Sequence, residues 1–208
     1  MKKKAYGRLI PAWLNDGFIG LLDPIVDVAV KLRVHPNTLT TITFLLGCAA
    51  TVAVMNGDLR LASALLLLSG LCDVIDGKLA RQIGKESRFG ALYDSTLDRY
   101  SEVLFFFGSA YLFIRLGWNA TAVATALALG GSLMVSYVRA RAEGLGFDCK
   151  VGLIQRPERI LILGISGFIH LAVFVPAIWI VAVLSNITAV QRLLWVWHAD
   201  EKPQTEKG

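Results

Sequence analysis

The chain has 208 residues, 55% of them apolar, with a formal net charge of +5 and a mean hydropathy of +0.57. This is too apolar for an ordinary soluble domain and too short for several domains, leaving one membrane domain. The basic residues do not alternate with aromatics as in a nucleic-acid binder, and Cys48, Cys72 and Cys149 lie in separate segments that imply no disulfide framework.

Residues 1–33 are expected to form a cytoplasmic, interfacial segment. M-K-K-K begins like a signal peptide, but Arg8, Pro11 and Asp16 interrupt the stretch after it, so no cleaved signal is expected. Trp13, Phe18, Leu21 and Leu22 alternate with Asp16, Asp23, Asp27, Lys31 and Arg33, a pattern suited to an amphipathic helix lying on a membrane. Asp23 is its expected N-cap and Pro24 its first helical residue.

Residues 34–198 are expected to be an all-α integral membrane domain of six transmembrane helices. The first runs from Pro36-Asn37 to Asn56-Gly57, and the others span approximately 61–82, 90–115, 118–142, 157–174 and 177–196. The uncharged run Ile160–Gln191 is too long for one span, so Pro176 is expected to mark a tight turn within it. Residues 199–208 read as a disordered cytoplasmic tail.

The short uncharged runs Leu61–Cys72 and Val103–Ile114 become full spans only if the charges beside them belong to the same helices. Each run covers about 18 Å at about 1.5 Å per residue, so Asp73 and Asp98 should lie at similar depth. Of the 21 basic residues, only Arg60 and Arg115 fall in the loops assigned outside. Positive residues favour cytoplasmic loops, so both termini and the aspartate segment should face the cytoplasm of a cell membrane. The remaining positive charge suits anionic lipid headgroups.

Asp73 and Asp76 are spaced i, i+3, and Asp94 and Asp98 are spaced i, i+4, so each pair shares a helix face. Four carboxylates near membrane depth are costly unless neutralised. Hard divalent ions prefer oxygen ligands and bind carboxylates together with substrate phosphates, which suggests phosphoryl chemistry. Gly77 and Gly90 would let backbone approach a ligand closely, and Arg81 could meet a phosphate. A salt-bridge cluster with Lys78, Arg81 and Arg99 leaves the paired spacing and the two glycines unexplained. Glu102 is expected to pair with Arg99.

The pattern D-x2-D-G-x2-A-R-x8-G-x3-D-x3-D, read from Asp73 through Gly77, Ala80, Arg81 and Gly90 to Asp98, resembles the signature of the CDP-alcohol phosphotransferases. The resemblance implies attack of an acceptor hydroxyl on the β-phosphorus of a CDP-linked lipid, with release of CMP. It also implies that Asp73, Asp76, Asp94 and Asp98 hold two Mg²⁺ or Mn²⁺ ions and that Asp98 is the general base. Pro36, Asn37, Thr38, Leu39, Gly77, Ala80, Arg81, Ser87 and Gly90 match CDP-lipid-binding positions. A homodimer is expected on the same ground.

Ser136, Arg139, Arg141, Arg156, Arg159 and Arg192 return positive charge to the cytoplasmic face from three segments. Convergent arginines suit a phosphate dianion, which favours a phosphorylated acceptor. The segments are similar to those of phosphatidylinositol phosphate synthases, apart from Arg139 where Lys is usual. That similarity implies CDP-diacylglycerol and inositol 1-phosphate as substrates, with Ser136, Arg139, Arg156 and Arg192 around the acceptor phosphate. Arg141 and Arg159 fit ordinary positive-inside placement best. Glycerol 3-phosphate, free inositol and serine are alternative acceptors. A divalent-cation transporter is the alternative of another class, but it would need polar groups continuing outward through Leu61–Cys72 and Val103–Ile114.

Overall fold

The computed structural model describes residues 20–84 and 87–201. Among them are seven helices: α1 (Asp23–Lys31), α2 (Pro36–Met55), α3 (Leu59–Gln82), α4 (Arg88–Arg115), α5 (Asn119–Gly144), α6 (Arg156–Ile169) and α7 (Leu171–Asp200). The all-helical architecture agrees with the sequence reading. By length and composition, α2, α5 and α7 can each cross a membrane. The charges of the aspartate segment lower the hydropathy of α3 and α4, and α6 has 14 residues, about 21 Å of helix at about 1.5 Å per residue.

Local chemistry sets the helix ends. His35 caps α2, its Nδ1 accepting from the Asn37 amide at 3.2 Å, and Pro36 lies in the first turn, where its missing N–H costs nothing. Asp58 caps α3 by accepting from the Leu61 amide at 3.1 Å, and Ser87 caps α4 by accepting from the Gly90 amide at 2.9 Å. Gly57 (φ 86°) and Gly117 (φ 75°) take the left-handed conformation in the tight connections after α2 and α4.

Three sequence expectations change. The long uncharged run breaks at His170 instead of Pro176. His170 is extended (φ −171°, ψ 153°) and its ring accepts from the Ala172 amide at 3.1 Å. Pro176 lies inside α7, where it removes one backbone hydrogen bond near the helix start without ending the helix. Asp23 is not the α1 cap: Leu22 holds that position without a side-chain bond, and Asp23 instead pairs with Lys78 of α3. The last helix runs to Asp200, beyond the expected boundary at 198; residues 202–208, expected to be disordered, lie outside the described residues.

Trp13, Phe18 and the rest of the expected N-terminal segment before Gly20 likewise lie outside them. The described α1 packs on α3 through Leu22, Val26, Ile75 and Leu79. Its Asp27 accepts from Gln82 at 2.8 Å, while Leu21, Ile25, Val28 and Leu32 stay exposed. The helix thus has one face bound to α3 and another apolar face open.

The main core brings Phe105, Phe106, Phe113, Phe174, Ile178 and Val181 together with small residues of α2, α3 and α5. Glycines set the closest approaches: a Cβ on Gly47 would collide with the Ser101 hydroxyl, and one on Gly131 would press on Asn186. Asn186 uses this closeness to donate to Leu127 O at 3.1 Å, from α7 to α5. Such small-residue contacts let helices approach where burial of apolar surface gives little drive. Arg115 at the end of α4 donates to Met55 O at the end of α2, and Phe113 stacks on Trp118 and Phe174. The α2–α3 turn, the α4–α5 turn and the α6–α7 break thus share one end, opposite the α3–α4 linker.

Candidate active site

The C-terminal half of α3 and the N-terminal half of α4 carry the aspartates. Asp73, Asp76 and Asp94 each offer an oxygen within 4.8 Å of the others. Asp76 is 4% exposed, and its Oδ2, like Asp94 Oδ1, is buried without a hydrogen-bond partner among the described residues. Unpaired buried carboxylate oxygens in such a group fit a hard divalent cation and are unfavourable without one. Thr40 and the Gly77 amide lie within hydrogen-bonding reach of Asp76, so the start of α2 closes this side of the cluster.

Asp98 lies beside this trio and is also buried, at 8% exposure. Arg156, the first residue of α6, places Nη2 2.6 Å from Asp98 Oδ1 and donates Nη1 to Asp73 Oδ2 at 2.7 Å. One guanidinium therefore spans α3 and α4 and holds Asp73 and Asp98 close together. Arg156, expected near an acceptor phosphate, is drawn to the carboxylates here.

One turn along α6, Arg159 is 1% exposed, which excludes the surface role its sequence context suggests. Its Nε donates to Glu102 Oε1 at 2.8 Å, and its Nη2 lies 2.7 Å from the same oxygen. Arg99, the expected partner of Glu102, is farther at 3.7 Å. Ser69, Ser101, Glu102, Arg156 and Arg159 line a small cavity of about 20 Å³ together with Leu66, Phe105, Phe106, Ile160 and Leu163. Sequence reading missed this buried pair because a basic residue near a cytoplasmic end is ordinarily solvated; the i, i+3 spacing of Arg156 and Arg159 was the available signal.

The remaining expected acceptor residues gather where α5 meets α7. Arg192 is 2% exposed, donates Nε to Val151 O at 2.8 Å and also donates to Val135 O. Ser136 follows Val135 and donates to Ser132 O at 3.3 Å. Arg139 pairs with Glu143 at 2.8 Å, and Arg192 lies within electrostatic reach of both Arg139 and Arg159. The four expected residues thus divide into two groups: Arg156 on the carboxylates, and Ser136, Arg139 and Arg192 at the α5–α7 end. Arg159 lies between them, and Arg141 is exposed. In the loop between α5 and α6, burial pushes the Cys149 thiol above its ordinary range despite the nearby Arg192.

A cavity of about 380 Å³ opens between α2 and α4, lined by Asn37, Thr38, Thr41, Ile42 and Tyr93. Thr41 and Tyr93 hydroxyls meet at 3.0 Å, and Phe89 stacks on Tyr93. Asn37 and Thr38 were expected here; Thr41 and Tyr93 were not, although Tyr93 adjoins Asp94. Pro36 is buried and Leu39 half-buried; Leu39 packs toward the Ile75 and Leu79 cluster, away from this cavity's lining. A Cβ on Gly90 would meet the Ser87 hydroxyl and Asn37 Oδ1, whereas one on Gly77 would meet only Arg81 Nη1 at 3.6 Å. Ala80 is half-buried, and Arg81 and Ser87 are exposed at the α3–α4 linker.

Comparison with known proteins adds an independent observation. The family model for CDP-alcohol phosphatidyltransferase matches residues 33–196. The archaetidylinositol phosphate synthase of Methanothermobacter thermautotrophicus is 39% identical over 181 residues, covering 85% of this chain and 89% of that protein. The phosphatidylinositol phosphate synthase of Mycobacterium tuberculosis is 34% identical over 208 residues, covering 90% and 91%. The fold is also similar to crystal structures of the M. tuberculosis synthase. With CDP-DAG bound, the TM-score is 0.77 at 29% identity, covering 89% of this chain and 96% of that one. In complex with manganese and citrate, the TM-score is 0.76 at 30% identity, covering 89% and 91%.

Proposed function

Because the chain belongs to the CDP-alcohol phosphatidyltransferase family and is therefore an enzyme of phospholipid biosynthesis, we propose that it transfers the phosphatidyl group of CDP-diacylglycerol to inositol 1-phosphate. The products are phosphatidylinositol phosphate and CMP. The observation that carries this reading is the convergence of Asp73, Asp76 and Asp94 beside Asp98, with half-buried Arg156 and buried Arg159 and Arg192 leading away from it. Carboxylates for a cation and guanidinium groups for a second phosphate are what a phosphorylated acceptor requires. The names of the similar synthases support that acceptor.

In this mechanism the acceptor hydroxyl forms a bond to the β-phosphorus of the donor as the bond to CMP breaks. Asp98 takes the hydroxyl proton. Asp73, Asp76 and Asp94, with Asp98 as fourth ligand, would hold two Mg²⁺ or Mn²⁺ ions, which when bound would supply neutralisation of the diphosphate and of the departing CMP. Asn37, Thr38, Thr41 and Tyr93 line the space for the nucleotide. Gly77 and Gly90 keep backbone close to the phosphates, and Arg81 pairs with one. Ser136, Arg139, Arg156 and Arg192 hold the acceptor phosphate. All six helices from α2 to α7 cross a cell membrane, α1 lies at its surface, the site and both termini face the cytoplasm, and two copies form a dimer.

The test is CMP release by purified protein given CDP-diacylglycerol with Mg²⁺ or Mn²⁺ and, separately, inositol 1-phosphate, glycerol 3-phosphate, inositol and serine. Selective release with inositol 1-phosphate is expected, with loss on chelation. Release with glycerol 3-phosphate instead would overturn the acceptor and leave the carboxylate chemistry standing.

A further inference from the structure

Arg156 carries two demands that it cannot meet at once. Its guanidinium holds Asp73 Oδ2 and Asp98 Oδ1 at 2.7 and 2.6 Å, and Asp73 belongs to the trio whose oxygens converge for a cation. The same guanidinium belongs to the positive series through Arg159 and Arg192 that suits a phosphate. We propose that Arg156 couples the two sites: a divalent cation among the carboxylates supplies the positive charge that Arg156 otherwise supplies, releases its guanidinium, and so strengthens binding of the acceptor's phosphate. This inference rests on the reading of a phosphorylated acceptor.

The surroundings favour movement of this side chain alone. Its backbone is fixed: the Gln155 amide donates to Glu158 Oε2 at 3.1 Å, Pro157 stiffens the first turn of α6, and Arg159 is tied to Glu102 one turn on. Arg156 Nε, by contrast, is buried without a hydrogen-bond partner among the described residues, so the group is held only through its end nitrogens. Arg99 adds like charge nearby, and Arg159 lines the same small cavity. A cation beside Asp73 adds more, weakening the hold of the carboxylates on Arg156 while leaving an incoming dianion as its best partner. Ligand coupling of this kind is reciprocal, so phosphate must strengthen cation binding by the same factor.

The experiment measures binding without donor lipid or turnover. Inositol 1-phosphate is titrated into purified wild-type protein with and without saturating Mn²⁺, and Mn²⁺ is titrated with and without inositol 1-phosphate. The expected result is a gain of about fivefold or more in each direction, the lower end of ordinary allosteric coupling. Arg156→Gln should bind Mn²⁺ at least as tightly as wild type and lose the coupling. Direct contact between bound Mn²⁺ and the phosphate would also couple them, but that coupling would persist in Arg156→Gln and would overturn the role of Arg156. Equal affinities in the wild type with and without Mn²⁺ would overturn it regardless of how the variant folds. The acceptor itself is judged separately by the CMP-release panel, so absence of coupling in the wild type with intact inositol 1-phosphate turnover condemns this inference alone.

Discussion

Replacing Glu102 with Gln tests whether the buried Arg159 depends on a charge that lies 57 residues away in sequence. The substitution keeps size and an acceptor oxygen, so Arg159 Nε retains a neutral partner at the position now 2.8 Å away, but its charge at 1% exposure loses its counter-charge. Removing one partner of a buried pair costs about 3–5 kcal/mol, and the retained hydrogen bond places this change near about 3 kcal/mol. For a chain of this size, each kcal/mol lowers Tm by about 2–4 °C, giving a drop of about 6–12 °C. Thermal unfolding of purified protein in detergent micelles, followed by circular dichroism, reads it. Converting both partners, Glu102→Leu with Arg159→Met, should recover most of the loss, because an apolar pair needs no neutralisation. A Glu102→Gln drop below about 2 °C would refute the assignment of a charge-dependent buried pair.

Asp98→Asn should leave the fold intact and lower the rate of CMP release by roughly 10²- to 10⁴-fold, the usual weight of a general base; near-wild-type release would remove Asp98 from that role. Arg192→Ala should raise the KM for inositol 1-phosphate and also cost about 1–3 kcal/mol in unfolding measurements, since Val135 and Val151 carbonyls lose a buried donor. An unchanged KM with the stability loss would make Arg192 purely structural. Gly47→Ala should destabilise by about 1–3 kcal/mol, because its methyl meets the Ser101 side chain between α2 and α4; Gly47→Ala with Ser101→Ala should recover part of that loss, and no recovery would place the strain elsewhere.

The aspartate pairs were legible in the sequence because their spacing is local. Asp73 and Asp76, then Asp94 and Asp98, share helix faces whatever the helices pack against. The short uncharged runs beside them also located both pairs along their helices, and Arg156 reaches Asp73 and Asp98 together. The turn at His170 was harder to read, since a histidine cap and a proline near a helix start are both compatible with a break. The extended His170 backbone and its bond to the Ala172 amide decided it.

By itself, then, the sequence determined the helical class, the main helices and the order of the acidic groups, all of which stem from apolar periodicity and spacing along one chain. Only the tertiary structure decided that Arg159 is buried against Glu102, that Arg156 turns toward the aspartates, and that Tyr93 meets Thr41 across the cavity. A long charged or phenolic side chain can satisfy several partners, and its choice depends on which of them packing removes from water. That environment exists only after α2, α3, α4 and α6 have come together.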